Sequence, residues 1–143
     1  MFVKQVSISM NNAPGKLLDA SQVLGTEGIN IRAISVADTS DISTVRFVTD
    51  DPKKTVDVLK SHGYSAKETD VIALEVPDHP GGLQAILKPL KKAHINVLYL
   101  YPYLGRGESG QAIVIMGVDK IKEATEVLKS NWVHIFGKEI YTL

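Results

Sequence analysis

Asn12-Ala13-Pro14-Gly15-Lys16-Leu17 decides how this sequence is read, because the chain writes it again as Asp78-His79-Pro80-Gly81-Gly82-Leu83. The two prolines stand 66 residues apart (80 minus 14). In each copy a short polar acceptor, Asn12 or Asp78, precedes a Pro-Gly pair by two residues, and apolar residues follow at helical spacing. Asn or Asp at a helix cap accepts a backbone N–H, and proline suits the first turn because the N–H it lacks would have no partner there. The pattern predicts two helix entrances capped by Asn12 and Asp78. The free N–H groups of a first turn, at the positive end of the helix dipole, form a seat for a carboxylate or phosphate.

Outward from the first copy, Phe2 to Met10 alternates as a half-buried strand, and Leu17 to Leu24 recurs at helical spacing until Gly25-Thr26-Glu27-Gly28. Ile31 to Ala37 and Ser43 to Thr49 read as strands joined by a turn at Asp38-Thr39-Ser40-Asp41. Asp50-Asp51-Pro52 caps a second helix that stops at His62-Gly63, and Tyr64 to Thr69 closes the half as a fourth strand. Val71 to Val76 begins the series again. Gly28-Ile29-Asn30-Ile31 meets His94-Ile95-Asn96-Val97 at the same offset of 66, while Val58-Leu59-Lys60-Ser61 meets Val127-Leu128-Lys129-Ser130 at 69. The extra residues fall in the loop near Gly105 to Gly110, where a structural repeat tolerates insertion. Each half therefore reads β-α-β-β-α-β. The expectation is an α+β chain of two tandem ferredoxin-like repeats, 1–70 and 71–143, each an antiparallel sheet with both helices on one face.

Halves this small bury only about 60% of their unfolded surface, so they are expected to lean on one another or on a second chain, and a homodimer is the expected assembly. Lys+Arg 16 against Asp+Glu 16 gives formal charge +0 and leaves no electrostatic footprint for nucleic acid or an anionic membrane. With Cys 0 there is no disulfide frame, thiolate metal site or cysteine nucleophile. The alternating N-terminus lacks the pattern of a signal peptide, and Ala112-Ile113-Val114-Ile115-Met116, the longest apolar run, falls short of the roughly 20 residues that span a bilayer. A cytoplasmic location is the expectation.

The repeated Asn/Asp-x-Pro-Gly-x-Leu loop followed by Gly-Ile-Asn-Ile, set in β-α-β-β-α-β, resembles the ACT domain, in two copies that use all 143 residues and leave no room for a catalytic or DNA-binding domain. The second copy departs by placing His94 where the first has Gly28. The resemblance implies a regulatory module that binds an amino acid where the loop before the first helix meets the start of the second strand of a neighbouring domain. Carried over by position, the first site is Asn12, Ala13, Pro14, Gly15, Lys16 and Leu17 with Asn30 and Ile31, and the second is Asp78, His79, Pro80, Gly81, Gly82 and Leu83 with Asn96 and Val97. The physical reading agrees: first-turn N–H groups take the α-carboxylate, and an oxygen of Asn12 or Asp78 accepts from the ammonium, more strongly at Asp78 because that bond is charge-assisted.

Other motifs carry less. Gly105-Arg106-Gly107-Glu108-Ser109-Gly110 spells a dinucleotide fingerprint, but it leads into a strand rather than a helix and reads as a hairpin loop. Tyr99, Tyr101 and Tyr103 alternate on one strand, where packing against the small Ala33, Ser35 and Ala37 of the other repeat is preferred to stacking of bases. The four histidines form no metal-ligand pattern, no cofactor is implied, and nothing pairs a nucleophile with a base. The expected activity is binding of a small amino acid or related metabolite and its transmission to assembly or to a metabolic enzyme. Two alternatives stay open: a ligand-free interaction subunit, and a small acylphosphatase-like hydrolase of the same fold.

Overall fold

The computed structural model describes residues 2–107 and 110–143. The strands and helices run β1 (Val3–Asn11), α1 (Lys16–Thr26), β2 (Ile31–Asp38), β3 (Ile42–Thr49), α2 (Pro52–Ser61), β4 (Lys67–Val76), α3 (Gly82–Lys92), β5 (Val97–Pro102), β6 (Ala112–Val118), α4 (Ile121–Ser130) and β7 (Ile135–Phe136), before a 3-10 turn at Lys138–Tyr141. This is the β-α-β-β-α-β order twice, with the single β4 ending the first series and beginning the second. Two compact units result, one spanning Lys4–Thr69 and the other Asp70–Leu143 with the described residues before Lys4.

In the first unit the sheet order is β2-β3-β1, antiparallel throughout, with Ile8 opposite Val45 and Ile34 opposite Phe47. Val6 and Ile8 of β1, Val45 and Phe47 of β3, Ala20 and Leu24 of α1 and Leu59 of α2 form one buried cluster, so both helices cover the same sheet face. In the second unit β5, β6 and β4 are antiparallel neighbours and β7 pairs with β4 on its other side. Its cluster repeats the first at the offsets of the sequence repeat: Ile86 and Leu90 of α3 and Leu128 of α4 stand where Ala20, Leu24 and Leu59 stood. A fully buried leucine contributes about 1.5–3 kcal/mol.

Two strand expectations change. Tyr64 to Thr69 and Val71 to Val76, read as separate strands, belong to a single β4 that begins only at Lys67. The last strand shrinks to two residues because Gly137 turns the chain into the 3-10 turn.

The helix ends separate the repeats. All four helices close with a left-handed residue followed by a bond back to the last turn. In the first unit that residue is Gly28 (φ 72°) or Gly63 (φ 88°), with Ile29 N–H donating to Leu24 C=O and Tyr64 N–H to Leu59 C=O. In the second it is His94 (φ 57°) or Trp132 (φ 63°), with Ile95 N–H on Leu90 and Val133 N–H on Leu128. A side chain in that conformation costs roughly 1–2 kcal/mol that glycine avoids. A lysine supports the end of the first helix of each repeat, at carbonyls one position apart in register: Lys54 Nζ donates to Glu27 C=O (2.8 Å) and Lys120 Nζ to His94 C=O (3.2 Å).

The tyrosines pack. Tyr101 and Tyr103 are buried, Tyr103 donates its hydroxyl to Ile140 C=O (2.8 Å), and Tyr99 lies over Gly117 on the adjacent strand. The Gly105-to-Gly110 loop includes Glu108 and Ser109, which lie outside the described residues.

Candidate functional site

At both entrances the cap is glycine. Gly15 (φ 83°, ψ −10°) precedes α1 and Gly81 (φ 86°, ψ −4°) precedes α3, and neither helix has a side-chain cap bond. This corrects the expectation that Asn12 and Asp78 cap these helices with Pro14 and Pro80 in the first turn. Each proline instead lies one residue before the cap, and the left-handed glycine makes the sharp step into the helix.

Asn12 is thereby released for another task. Its side-chain amide donates to Ser40 C=O (3.0 Å) and the Asp38 carboxylate (3.3 Å), and its backbone N–H donates to Asp41 C=O (2.8 Å). It fastens the β2–β3 turn to the entrance. Asp78 receives no such role: its N–H donates to Gln111 Oε1 (3.3 Å), and its carboxylate stands 3.9 Å from the Arg106 guanidinium in an exposed pair. Exposed pairs contribute about 0–1 kcal/mol. His79 Nδ1 lies 2.9 Å from Pro80 C=O, which assigns a proton to that nitrogen.

The first-turn donors come next. Lys16 N–H bonds Ala13 C=O (3.3 Å) and Asp19 N–H bonds Gly15 C=O (3.0 Å), so the N–H groups of Leu17 and Leu18 between them are left without an acceptor among the described residues. In the second copy Gly82 N–H bonds His79 C=O (3.0 Å) and Ala85 N–H bonds Gly81 C=O (3.3 Å), which leaves Leu83 and Gln84. Two adjacent free donors thus face outward at each entrance. At α2, by contrast, Asp51 Oδ1 accepts from Lys54 N–H (3.1 Å), with Pro52 in the first turn as the sequence predicts. The α4 start also lacks a side-chain cap and bears Lys120, whose charge opposes an incoming cation.

The entrances differ in detail. At the first, Lys16 and Asp19 border a hollow of about 360 Å³ shared with Ser9, Met10, Asn11 and Tyr64. At the second, Gly82 is buried and a Cβ there would collide with Pro77 C=O. Leu17 and Leu83 are exposed large apolar side chains beside the free donors.

Asn30, Ile31, Asn96 and Val97 stand at the other end of their helices. Within one unit the structure does not bring them to the entrance loop, because α1 and α3, of 11 residues each, lie between. At 1.5 Å per residue that separation is about 16 Å. Asn30 N–H donates to Asp50 Oδ1 and Asp50 N–H to Asn30 C=O, both at 3.0 Å. Asn96 and Asp119 repeat the exchange at 3.0 and 3.2 Å. The left-handed residues before these strands are Gly28 and His94. Asp19 escaped the sequence reading, and Trp132, whose aromatic type and place beside the last turn and strand point to core packing, is instead 95% exposed, whereas Phe136 is buried; the signal for Trp132 was its alignment with Gly63 at offset 69.

Among the described residues no group of three His, Cys, Asp or Glu could hold a metal ion, and no helix is long and apolar enough to cross a membrane. Glu139 lies in the 3-10 turn that follows β7. Gly137 N–H, donating to its Oε1 at 2.9 Å, holds its carboxyl below the usual range, its own backbone N–H adds to this, and His134 contributes further.

Comparison with solved structures finds a protein of Bacteroides thetaiotaomicron with a TM-score of 0.91 at 29% identity, covering 100% of this chain and 98% of the other. The regulatory subunit of aspartate kinase from Thermus thermophilus, in a ligand-free form, aligns with a TM-score of 0.65 at 13% identity, over 90% of this chain and 92% of that one. That of Thermus flavus gives 0.63 at 15% identity, over 90% of both chains. At such identities these two carry the fold alone. A search of curated proteins returns no match. The family model described as the ACT domain pair matches residues 1–143, and the chain belongs to that family.

Proposed function

We propose that this protein is a regulatory module that binds a small amino acid or related metabolite at its glycine-capped helix entrances and passes occupancy to its own assembly or to a metabolic enzyme. The observation that carries the reading is the pair of free donors in each entrance, Leu17 and Leu18 or Leu83 and Gln84, in a chain of the ACT domain pair. A carboxylate satisfies two adjacent N–H groups at once. At the first entrance Asp19 is then the partner for the ammonium and Lys16 adds to the field on the carboxylate, both bordering the same hollow. Asn12 gives way to Asp19 in this role because its amide holds the β2–β3 turn. Asn30 and Ile31, or Asn96 and Val97, complete a site only from a neighbouring domain, which supports a homodimer as the working form.

Two structural relatives are regulatory subunits of aspartate kinase, which is in keeping with the class of activity proposed: regulation, with no chemistry on the ligand. Binding acts by linkage, shifting the population toward whichever arrangement holds the ligand more tightly.

Thermal unfolding against the twenty amino acids, with mass followed by light scattering, tests the proposal. A native-state ligand at a hundredfold excess over its dissociation constant stabilises by about 2.7 kcal/mol, a shift of several degrees. A selective shift that disappears in Gly15→Val or Gly81→Val is the expected result. A flat panel from folded protein would overturn it in favour of a subunit that docks without a ligand.

A further inference from the structure

The two entrances share a backbone plan but not a set of charges. At the offset of 66, Asn12 answers to Asp78, Lys16 to Gly82, Leu18 to Gln84 and Asp19 to Ala85. Both entrances keep their pair of free N–H donors. The charged side chains of the first helical turn, Lys16 and Asp19, belong to the first entrance alone.

At the first entrance the Asp19 carboxylate is exposed, and no hydrogen bond or ion pair engages it among the described residues. Side chains on a helix lean toward its N-terminus, so a first-turn carboxylate is carried toward the end where the Leu17 and Leu18 N–H groups point. Lys16, three residues earlier, shares its helix face and the hollow of about 360 Å³. An acidic residue near a helix start gains from the dipole without any ligand. What carries the inference is the contrast with the second repeat, which keeps the donors and drops the carboxylate.

At the second entrance Ala85 brings no charge, and the Pro77 carbonyl fills the space where a side chain on Gly82 would begin. Asp78 is the carboxylate of the loop itself, and it faces the Arg106 guanidinium at 3.9 Å, which Gly110 C=O holds in turn by accepting from its Nη1 at 3.0 Å. That exposed pair is weak in itself, but an ammonium that displaced Arg106 would only exchange one cation for another. Glu75, which borders a cleft with Ala85, already has an interaction within the chain. We propose that the chain takes α-amino acids at its first entrance alone, with Asp19 as the residue that distinguishes an α-amino acid from the same acid without its ammonium. This rests on the entrance sites proposed above and narrows them to one amino acid per chain, held by the first repeat.

The backbone amide resonances of Leu17 and Leu18 report one entrance and those of Leu83 and Gln84 the other. The nitrogen-15-labelled full chain is titrated with the twenty amino acids, each paired with the carboxylic acid that lacks its α-amino group, as propionate pairs with alanine. Saturable shifts at Leu17 and Leu18 are expected with an amino acid that binds about fivefold or more tightly than its amino-free counterpart. Leu83 and Gln84 should show no such preference. In Asp19→Asn the preference should fall to about twofold or less, with binding of the amino-free acid undiminished; a merely structural role for Asp19 would weaken both alike. An amino-acid preference at both entrances, at the second alone, or at the first but untouched by Asp19→Asn would each overturn the proposal while leaving the entrance sites in place. Stillness of all these amides toward every probe would instead remove the entrance sites themselves, and this inference with them.

Discussion

Single residues separate two copies of one plan. Lys16 and Gly82 occupy the same repeat position, yet only Gly82 has the Pro77 carbonyl pressed against it. Backbone cannot step aside as a flexible side chain can, so Gly82→Ala should destabilise the protein by about 1–3 kcal/mol, while Lys16→Ala changes stability by about 0.5 kcal/mol or less. Chemical denaturation of the two variants gives that comparison directly. Gly117 is restricted differently, by the Tyr99 ring opposite it, and Gly117→Ala should recover part of its loss when combined with Tyr99→Leu. Glu139 has a carboxyl held low in the folded state, so it stabilises above its ordinary value of 4.5 and that contribution fades as pH falls through the lower folded-state value. Melting curves should therefore show wild type and Glu139→Gln converging from pH 7 to pH 3, by a small amount because the group is largely exposed. A gap that widens toward acid would contradict the assignment.

Among elements, the two helices that follow a β-hairpin begin differently. The start of α2 has an Asp51 cap and Pro52, whereas α4 begins at Lys120 with its charge beside the helix dipole's positive end. Asp51→Ala should cost about 1 kcal/mol, and hydrogen exchange should rise first in the opening turn of α2. Restoring a cap to α4 with Lys120→Asp removes the bond to His94 C=O at the same time, so its gain should appear as stiffening of the α4 start with loosening at the end of α3. Leu24→Ala and Leu90→Ala, in equivalent turns, should each lose about 2–5 kcal/mol. Their difference measures how far the Ala20 and Ile86 surroundings can collapse into the gap.

For the whole molecule, repetition made the fold readable. Alternation located β1 to β3, helical spacing located all four helices, and the offsets of 66 and 69 placed the second unit on the first before any coordinates. The ends of the repeats were harder. In the polar run before Val71, Asp70 is a turn-type residue at the junction, yet β4 passes through it unbroken, and β7 is too short for periodicity to register. The entrances were located correctly but capped wrongly, because Asn-x-Pro-Gly satisfies the rules for an asparagine cap as well as those for a glycine step. Only the hydrogen bonds of Asn12 distinguish the two. The proposed contribution of Asn30 and Asn96 to a neighbouring domain's entrance depends on contacts that strand and helix periods do not encode.

The placement of Trp132 has a practical consequence for anyone following this chain by its own light. An indole already surrounded by solvent in the native state has little further to travel when the chain unfolds. Denaturant titrations read at its emission should be nearly flat while circular dichroism of the same samples passes through a full transition. The usual optical reporter of folding is, in this protein, almost blind to it.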